Sequence, residues 1–405
     1  MADNKPAISG KEFNDFGKKL VQPSVVQYIK DYVNWQIALR KSDNPEGQIN
    51  SFPEKGMFSI NLDLTTACNF RCPGCIDKHI LNKGVMFKKE ELFSSLEQMY
   101  KDGLKSVILL GGGEPTIAPE FEDCVKFLKE RNIQVAVVTN GTMMHKIANV
   151  AHLFTARDWI RLSIDAGTDK TFQAMHNPVK SITLNQICEN VLAIRKNHPK
   201  LQLGFSFVVT AGNKEIPSNH KEIILAAELA KKYGFSYISF KPYLERSSKG
   251  DEILVIGDEE ITKLTIQYLD EAKKLQTPDF KVVENNRFNV LRGKSDGIDY
   301  TKHPNYCHMT YFRKILSPLG LFTCPALRGN KKVYLNLNNA YASKENTEQT
   351  KQITAKHVIN FNPSKECSEN TCQYAPVNWF VEDLIQHPEK LNSLNIPKED
   401  ADFFL

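Results

Sequence analysis

Three cysteines in one short run have the residue type and the spacing to hold a metal centre. They are Cys68, Cys72 and Cys75, in the run CNFRCPGC. Three thiolates on so short a loop can converge, and thiolate ligation favours an iron–sulfur cluster or zinc over hard cations. A four-iron cubane with three protein ligands would leave one iron open to an exogenous molecule. A zinc knuckle completed by His79 is the alternative, although this spacing is not the paired spacing typical of zinc sites.

Four further cysteines lie in a polar, loop-rich part of the sequence that follows: Cys307, Cys324, Cys367 and Cys372. Four thiolates are enough to ligate one iron–sulfur cluster completely, and a four-cysteine zinc site is the alternative. The remaining two cysteines, Cys124 and Cys188, lie on apolar faces of amphipathic segments. We predict that both are core residues, because buried cysteine behaves as a small hydrophobe.

The elements that must position the first three cysteines are short apolar runs that alternate with amphipathic segments. Six such runs are present, at 58–64, 106–110, 134–138, 159–165, 202–209 and 237–242. Runs that are almost continuously apolar are typical of parallel strands covered by helices on both faces. This alternation of apolar runs and amphipathic segments predicts an α/β fold with six βα units over 57–250. No seventh or eighth strand is recognisable, so we do not expect a full eight-stranded barrel.

The rest of the chain divides around this barrel. Residues 1–56 are predicted to be a helical N-terminal extension and linker, 251–300 a connecting helical segment, and 376–405 a C-terminal helical tail. The second cysteine set falls in 301–375. We therefore expect a small cysteine-bearing domain between the connecting segment and the tail.

Composition and charge exclude some classes of partner. The N-terminal residues show no apolar signal region, and no run approaches the ~20 apolar residues that a membrane span needs. We therefore expect a cytoplasmic protein without a membrane partner, in which clustered cysteines are ligands and not disulfides. The net charge of +5 is too small and too dispersed for a nucleic-acid binder. It could favour an anionic substrate.

The run CNFRCPGC resembles the cluster-binding loop of the radical S-adenosylmethionine (SAM) superfamily. Further motifs of that family follow at successive strand ends: Gly111–Pro115 (GGGEP), Thr139–Gly141 (TNG), Ser163 and Asp165 in LSIDAG, and Lys241 in ISFKPY. The resemblance covers most of 57–245. It implies a partial (βα)6 parallel barrel of the radical SAM type, whose active site gathers at the carboxyl ends of the strands.

The resemblance also implies a cofactor set and its contacts. A [4Fe-4S] cluster would be held by Cys68, Cys72 and Cys75, with SAM bound at the open iron. The implied SAM contacts are Phe70, Gly74, Gly112, Gly113, Glu114, Ser163 and Asp165. Glu114 would receive the methionyl ammonium, and Ser163 and Asp165 would lie near the ribose. Gly74 departs from the pattern, because relatives commonly carry a bulky residue there against the adenine.

The second cysteine set resembles the twitch or SPASM extensions of radical SAM enzymes. A full SPASM domain holds two clusters and more cysteines than are present here. Cys307, Cys324, Cys367 and Cys372 therefore suggest a twitch-like C-terminal domain with one auxiliary [4Fe-4S] cluster. The spacings are looser than those of relatives, since four residues separate Cys367 from Cys372.

The resemblance implies a reaction class. SAM would be cleaved reductively to a 5′-deoxyadenosyl radical that abstracts hydrogen from a substrate, with electrons from a low-potential donor such as flavodoxin or ferredoxin. An auxiliary cluster without an open iron suits an oxidoreductase of the dehydrogenase type. We expect a polar small molecule as substrate: a sugar, cyclitol, nucleoside or amino-acid derivative in a biosynthetic pathway. The sequence does not identify the catalytic acid or base.

Two alternatives stay open. A maturase that crosslinks or epimerises a ribosomally made peptide is the first, although the N-terminal segment lacks the β-hairpin pattern of a leader-binding module. A non-catalytic iron–sulfur or zinc protein is the second. In that interpretation Glu114, Ser163 and Asp165 would have no purpose, and we therefore favour an enzyme.

Overall fold

The computed structural model describes residues 15–246, 252–254, 257–293, 299–336 and 339–405. Parts of four predicted segments therefore lie outside the described residues. They are 1–14 of the N-terminal extension, 247–250 at the end of the barrel, 251, 255–256 and 294–298 of the connecting segment, and 337–338 of the cysteine-bearing region.

One ten-stranded sheet organises the chain. All six predicted strands are confirmed: β1 (Ser59–Leu62), β2 (Ser106–Leu109), β3 (Gln134–Thr139), β4 (Trp159–Ser163), β5 (Gln202–Val209) and β6 (Tyr237–Pro242). They are parallel neighbours in chain order. Their carboxyl ends therefore meet at one edge, where the predicted site residues lie.

The sheet continues beyond the six predicted strands, although the sequence shows no recognisable seventh or eighth strand. A short antiparallel pair, β7 (Leu244–Arg246) and β8 (Glu252–Leu254), follows β6 in the chain as a separate two-stranded sheet. Then β9 (Lys281–Glu284) pairs parallel with β6, and β10 (Arg313–Ser317) pairs parallel with β1 at the opposite edge. The strands β11 (Gly320–Phe322) and β12 (Tyr334–Asn336) extend the sheet antiparallel from β10.

Two of these strands escaped prediction because charged residues interrupt them. The strand β10 reads RKILS, yet Arg313 and Lys314 are each only 4% exposed. Arg313 donates to Asn61 Oδ1 over 2.6 Å, so a neighbouring strand satisfies the charge that breaks the apolar pattern. The strand β9 is only four residues long and begins with a lysine. Neither sequence has the apolar run from which a buried strand is recognised.

Helices follow the strands and cover the outer face of the sheet. They are α1 (Phe16–Leu20), α2 (Val26–Lys41), α3 (Lys89–Lys101), α4 (Phe121–Glu130), α5 (Met144–Val150), α6 (Asp169–His176), α7 (Leu184–Asn197), α8 (Ile223–Lys232), α9 (Glu259–Lys273), α10 (Arg287–Leu291), α11 (Met309–Phe312), α12 (Lys344–Asn360), α13 (Pro363–Glu366) and α14 (Ala375–Gln386). The start of α7 is fixed by a capping box between Thr183 and Gln186. Cys124 in α4 and Cys188 in α7 are fully buried in the main core, as predicted.

Side chains alternate between the two faces of the barrel strands, as the two-residue period of a strand requires. In β4, Ile160 and Leu162 point outward and join the core beneath the helices. Trp159 and Arg161 point inward and line an internal cavity. The interior of the barrel is therefore polar and charged above a small apolar floor that includes Trp159 and Phe404.

Segments from the two ends of the described chain pack together beside the barrel. The helices α2 and α14 share an apolar cluster, and Arg40 makes two hydrogen bonds to Glu382 at 2.8 and 2.7 Å. Helical structure ends at Asn392, so residues 393–405 of the predicted helical tail are irregular. Phe403 and Leu405 are buried against the lower end of the barrel. Among the described residues, no helix is both long enough and apolar enough to cross a membrane.

Candidate functional site

The loop after β1 brings the first three cysteines together. Cys68, Cys72 and Cys75 are free thiols, all partly exposed. Burial raises the pKa of Cys72, and repulsion from the sulfurs of Cys75 and Cys68 raises it further. Burial also raises the pKa of Cys75 to about 11. Three neighbouring thiols that resist ionisation would be stabilised as thiolates by a cationic metal centre, so the donor set fits an iron–sulfur cluster.

Aromatic packing holds this loop against α6. Phe70 is 2% exposed, and its ring centroid lies 6.0 Å from that of Phe172. The Arg71 N–H donates to the His176 and Asn177 carbonyls over 3.1 and 3.0 Å. Phe70 therefore anchors the loop from beneath. Its predicted role as a SAM contact stays a prediction.

His176, at the end of α6, is a site residue that sequence reasoning missed. Its Nδ1 lies 3.3 Å from Cys72 Sγ, and its Nε2 lies 2.7 Å from the Ile164 carbonyl oxygen. Because a carbonyl only accepts, Nε2 carries the proton and Nδ1 is left facing the cysteine. Burial lowers the pKa of His176, which keeps the ring neutral. Nothing in the sequence indicates this contact, because 104 residues separate the two side chains.

The glycine segment after β2 packs directly on the cysteine loop. A Cβ on Gly113 would lie 2.2 Å from the Ala67 carbonyl oxygen, so only glycine fits there. The next amide, of Glu114, donates to the same Ala67 oxygen over 2.8 Å. Gly112 has a φ of +66° and donates its N–H to Asp77 Oδ2 over 3.3 Å. The predicted motif and the predicted cluster loop thus form one unit.

The Glu114 carboxylate is held by donors from two strand ends. Its Oε1 accepts from Thr139 Oγ1 and Thr116 Oγ1 over 2.6 and 2.5 Å, and its Oε2 accepts from the Asn140 N–H over 2.7 Å. Burial raises the pKa of Glu114, and these hydrogen bonds oppose that rise. The TNG segment therefore orients the carboxylate. That Glu114 receives the SAM ammonium stays a prediction.

The end of β4 supplies Ser163 and Asp165. Asp165 has a φ of +53°, and its Oδ1 accepts from the Val208 N–H over 2.6 Å. Its Oδ2 lies 3.7 Å from His176 Nε2. Ser163 is the last residue of β4 and lies level with Ser206 of β5. Both residues thus lie at the same barrel edge as the cysteine loop, where their predicted SAM contacts would have to form.

Gly74 lies against two apolar side chains. A Cβ at this position would be 3.0 Å from Ile216 Cδ1 and 3.6 Å from Tyr243 Cε2. Ile216 and Tyr243 therefore fill the space beside Gly74 that a bulky residue would need. The absence of a side chain at Gly74 is compensated by residues that follow β5 and β6.

The second cysteine set also converges. Cys307, Cys324, Cys367 and Cys372 line one cavity of about 320 Å³. Burial raises the pKa of Cys367, and the sulfurs of Cys324, Cys307 and Cys372 raise it further in that order. Four thiols around one cavity fit a cluster with no open iron. Among the residues that the structure describes, no three or more His, Cys, Asp or Glu side chains surround a point that a single metal ion could occupy.

Residues 62–224 match the sequence model of the Radical SAM superfamily. The chain contains a radical SAM domain. The match includes the first cysteine set, the glycine segment, Glu114, Ser163 and Asp165. The family uses a [4Fe-4S] cluster and SAM.

Curated relatives match part of the chain. An S-adenosylmethionine-dependent nucleotide dehydratase of Flammeovirga pacifica is 31% identical over 164 residues, which are 38% of this chain and 54% of the relative. A GTP 3′,8-cyclase of Staphylococcus saprophyticus is 30% identical over 145 residues, 33% of this chain and 42% of the relative. The chain therefore spans about half the length of the curated relatives that it matches.

Solved structures share the fold over more of the chain. Streptococcus suis SuiB bound to S-adenosylmethionine superposes with a TM-score of 0.54 at 14% identity, covering 76% of this chain and 71% of SuiB. The anSMEcpe structure with bound AdoMet gives a TM-score of 0.54 at 15% identity, covering 84% of this chain and all of that one (100%). These superpositions cover more of the chain than the match at residues 62–224 does.

Arg328 joins the second cysteine segment to the radical SAM domain, and it is the other site residue that sequence reasoning missed. It is 2% exposed, and its guanidinium lies 2.9 Å from Asp63 Oδ2 and 2.5 Å from Asp77 Oδ2. Burial raises the pKa of Asp63 to about 7 although Arg328 opposes the rise. His79 Nε2 donates to the Arg328 carbonyl over 2.9 Å, so this histidine serves the junction between the two segments.

Proposed function

We propose that this chain is a radical SAM enzyme whose [4Fe-4S] cluster is bound by Cys68, Cys72 and Cys75. The observation that carries the proposal is the packing of the backbone that leads into the cysteine loop against the glycine segment within the matched domain, since Gly113 admits no side chain and the Glu114 N–H donates to the Ala67 carbonyl. When bound, cluster and SAM supply reductive cleavage of the sulfonium, which yields methionine and a 5′-deoxyadenosyl radical.

The chain's own residues hold and orient the reactants. Glu114, kept in place by Thr139 and Asn140, would accept a hydrogen bond from the methionyl ammonium. Ser163 and Asp165 would bind the ribose hydroxyls from the end of β4. Ile216 and Tyr243 would shield the space beside Gly74 from water. His176 contacts Cys72 and fixes that thiol relative to Ile164 and Asp165.

The second cysteine set would hold one auxiliary [4Fe-4S] cluster. Its four thiols leave no open iron, so its role would be to transfer an electron and not to bind substrate. Arg328 connects the two cysteine segments through Asp63 and Asp77, which keeps them in a fixed relation. An oxidation of the substrate is the outcome that this arrangement suits, with flavodoxin or ferredoxin as external donor.

The substrate would be a polar small molecule, with nucleotides first among the candidates. Support comes from relatives named as a nucleotide dehydratase and as a GTP cyclase. Those matches cover about half of each relative, so they indicate a class and not a specific reaction. SuiB and anSMEcpe have been solved with peptides, and peptides are therefore the second series to test.

The proposal is tested by anaerobic reconstitution with iron and sulfide, followed by assay for 5′-deoxyadenosine with SAM and a strong reductant. We expect product from the wild-type chain and none from Cys68→Ala, Cys72→Ala or Cys75→Ala. The matched control is Cys124→Ala, which removes a buried core thiol and should keep the activity. Wild-type protein that binds no cubane, or whose cubane spectrum is unchanged by SAM, would overturn the proposal.

A further inference from the structure

A cavity of about 220 Å³ lies inside the barrel, deeper than the predicted SAM contacts at the strand ends. Inward-facing residues of several strands line it, among them Asn61, Trp159, Arg161, Ser239 and Lys241. It shares part of its wall with the cavity of the second cysteine set, including Asn61, Lys241, Arg313 and Tyr374. A molecule in this space would therefore lie beside the second cysteine set.

The lining of this cavity is basic. Arg161, Lys241, Arg287, Arg313 and Lys19 contribute to it, and no aspartate or glutamate does. The cavity is only partly enclosed, and its wall also contains Leu405, whose terminal carboxylate is one negative charge against five positive ones. A surplus of cations removed from water is electrostatically costly. Either partners within the chain or a bound anion must offset that cost.

Three of the five cations already have partners. Lys19 forms an ion pair with Asp402 Oδ2 at 2.8 Å. Arg287 Nε donates to the Thr371 carbonyl over 2.7 Å. Arg313 bonds to Asn61 and Tyr374 and is attracted by Cys324, so a loaded second cysteine site would neutralise it.

Arg161 and Lys241 differ from these three. Over the part of the chain that the structure describes, neither side chain forms an ion pair or a hydrogen bond with its charged end, and Arg161 Nε is buried without a partner. The guanidinium of Arg161 lies 5.0 Å from the Trp159 ring centroid. Burial lowers the pKa of both groups, and they repel each other.

The acid that attracts both groups is Asp165, but it serves other residues. Its Oδ1 accepts from the Val208 N–H over 2.6 Å, and its Oδ2 faces His176 at 3.7 Å. Gly204, level with Arg161 on the neighbouring strand, carries no side chain into the interior. A Cβ there would lie 2.2 Å from the Tyr237 ring, so the missing side chain makes room for that ring and adds no negative charge near Arg161.

We propose that Arg161 and Lys241 bind an anionic group, a phosphate or a carboxylate, on the small-molecule substrate of this enzyme. The inference rests on the proposed function and adds the charge of the substrate to it. A planar guanidinium suits bidentate contact with either group, and the ammonium adds a second charge-assisted hydrogen bond. Because the cavity is small, only the anionic group would fit inside it. The rest of the substrate would lie outside the cavity, on the side of the cysteine loop.

The test is equilibrium binding to the full, anaerobically reconstituted chain by titration calorimetry. The probes are inorganic phosphate, uridine triphosphate and citrate, with uridine as the neutral counterpart. We expect saturable binding of at least one anion and at least tenfold weaker binding of uridine than of its triphosphate, because charge-assisted hydrogen bonds discriminate by that order. Binding of the phosphates but not of citrate identifies a phosphate group, and the reverse identifies a carboxylate.

Variants assign the binding to the two cations. Arg161→Gln and Lys241→Gln should each weaken anion binding about tenfold or more. The matched controls Arg157→Gln and Lys356→Gln remove exposed charges and should leave it unchanged. Where Arg161→Gln does not fold, Lys241→Gln tests the proposal, and Arg161→Lys should bind the anion more weakly than the wild type but not lose binding, because it keeps the charge without the bidentate contact.

Three results would overturn the inference: no anion binds the wild type saturably, the glutamine variants bind as well as the wild type, or they lose SAM binding to the same extent as anion binding. In the last case the two cations would hold SAM and not a substrate. Assay of 5′-deoxyadenosine on the same preparations separates the proposals. Product without anion binding rejects only this inference, and anion binding without product rejects only the proposed enzymatic function.

Discussion

At the scale of single residues, one missing side chain links the two motifs of the radical SAM site. The backbone at Gly113 comes so close to Ala67 that a Cβ would lie 2.2 Å from its carbonyl oxygen and 2.7 Å from the Thr66 carbonyl carbon. Both obstacles are backbone atoms, so they cannot rotate away as a side chain would. The register of the glycine segment against the cysteine loop therefore depends on this residue.

We expect Gly113→Ala to separate the glycine segment from the cysteine loop and to displace Glu114. Because the loop carries three proposed ligands, iron bound by the first cysteine set should fall, and 5′-deoxyadenosine formation should drop by at least tenfold. Iron analysis and product assay on the same preparation measure both effects. Gly17→Ala is the control, since a Cβ there meets only Phe380 and Asp15 side chains at 3.5 Å or more. Full activity in Gly113→Ala would show that the two motifs are not coupled.

The residues of the site divide by what made them predictable. Cys68, Cys72 and Cys75 lie within one loop, and Glu114 lies in a glycine-rich segment, so local spacing was enough to find them. His176 and Arg328 act across 104 and 251 residues of chain, and no local pattern marks either. Their contacts form because the folded chain brings distant segments together, and a single sequence does not show which segments meet.

At the scale of elements, the segment after β11 is docked onto the loop after β1 by one buried cation. Arg328 faces Asp63 and Asp77, and Gly111 is left without a side chain because a Cβ there would lie 2.4 Å from Arg328 Nη1. The connection thus involves β1, the cysteine loop, the glycine segment and the second cysteine segment. Removing the cation alone would leave a carboxylate buried without compensation.

We expect Arg328→Met to lower the free energy of unfolding by about 3–5 kcal/mol, the range for breaking a buried pair from one side. Urea denaturation followed by circular dichroism measures the loss. The double variant Asp63→Asn with Arg328→Met should lose less than Arg328→Met alone, because it also removes a stranded charge. Lys89→Met, at an exposed surface pair of 2.8 Å with Asp123, should leave the free energy of unfolding almost unchanged. Equal losses in the single and double variants would contradict a buried ion pair.

Strands with a long apolar run could be predicted from the sequence. Strands with charged residues, which are buried only because other parts of the fold contact them, could not. The six central strands are mostly apolar, because helices cover their outer faces, and their polar residues, such as Arg161 and Lys241, face the interior of the barrel. The outer strand β10 contains Arg313 and Lys314, and burial lowers the pKa of Lys314 to about 7. Such residues are buried because other residues contact them, as Asn61 and Tyr374 contact Arg313 through hydrogen bonds. A hydrophobic pattern does not reveal partners of that kind.

At the scale of the whole molecule, the strand order brings the two cysteine sets to neighbouring strands. The strand β10 is the parallel neighbour of β1, so the hairpin that leads to Cys324 starts beside the strand that leads to Cys68. The second cysteine segment is therefore an extension of the same sheet. The cavity of the second cysteine set and the barrel cavity share a wall that contains Lys241 and Arg313.

This arrangement predicts two separable iron centres. A cubane holds four irons, so the anaerobically reconstituted wild type should bind about eight per chain. The triple variant of Cys68, Cys72 and Cys75 to alanine should bind about four and form no 5′-deoxyadenosine. Cys307→Ala with Cys367→Ala should also bind about four, yet keep some SAM cleavage while substrate turnover stops. Removing the core thiols Cys124 and Cys188 should leave about eight. Zinc in place of iron at the second set would contradict its proposed role in electron transfer, because zinc has no redox chemistry, whereas the radical SAM site itself would be unaffected.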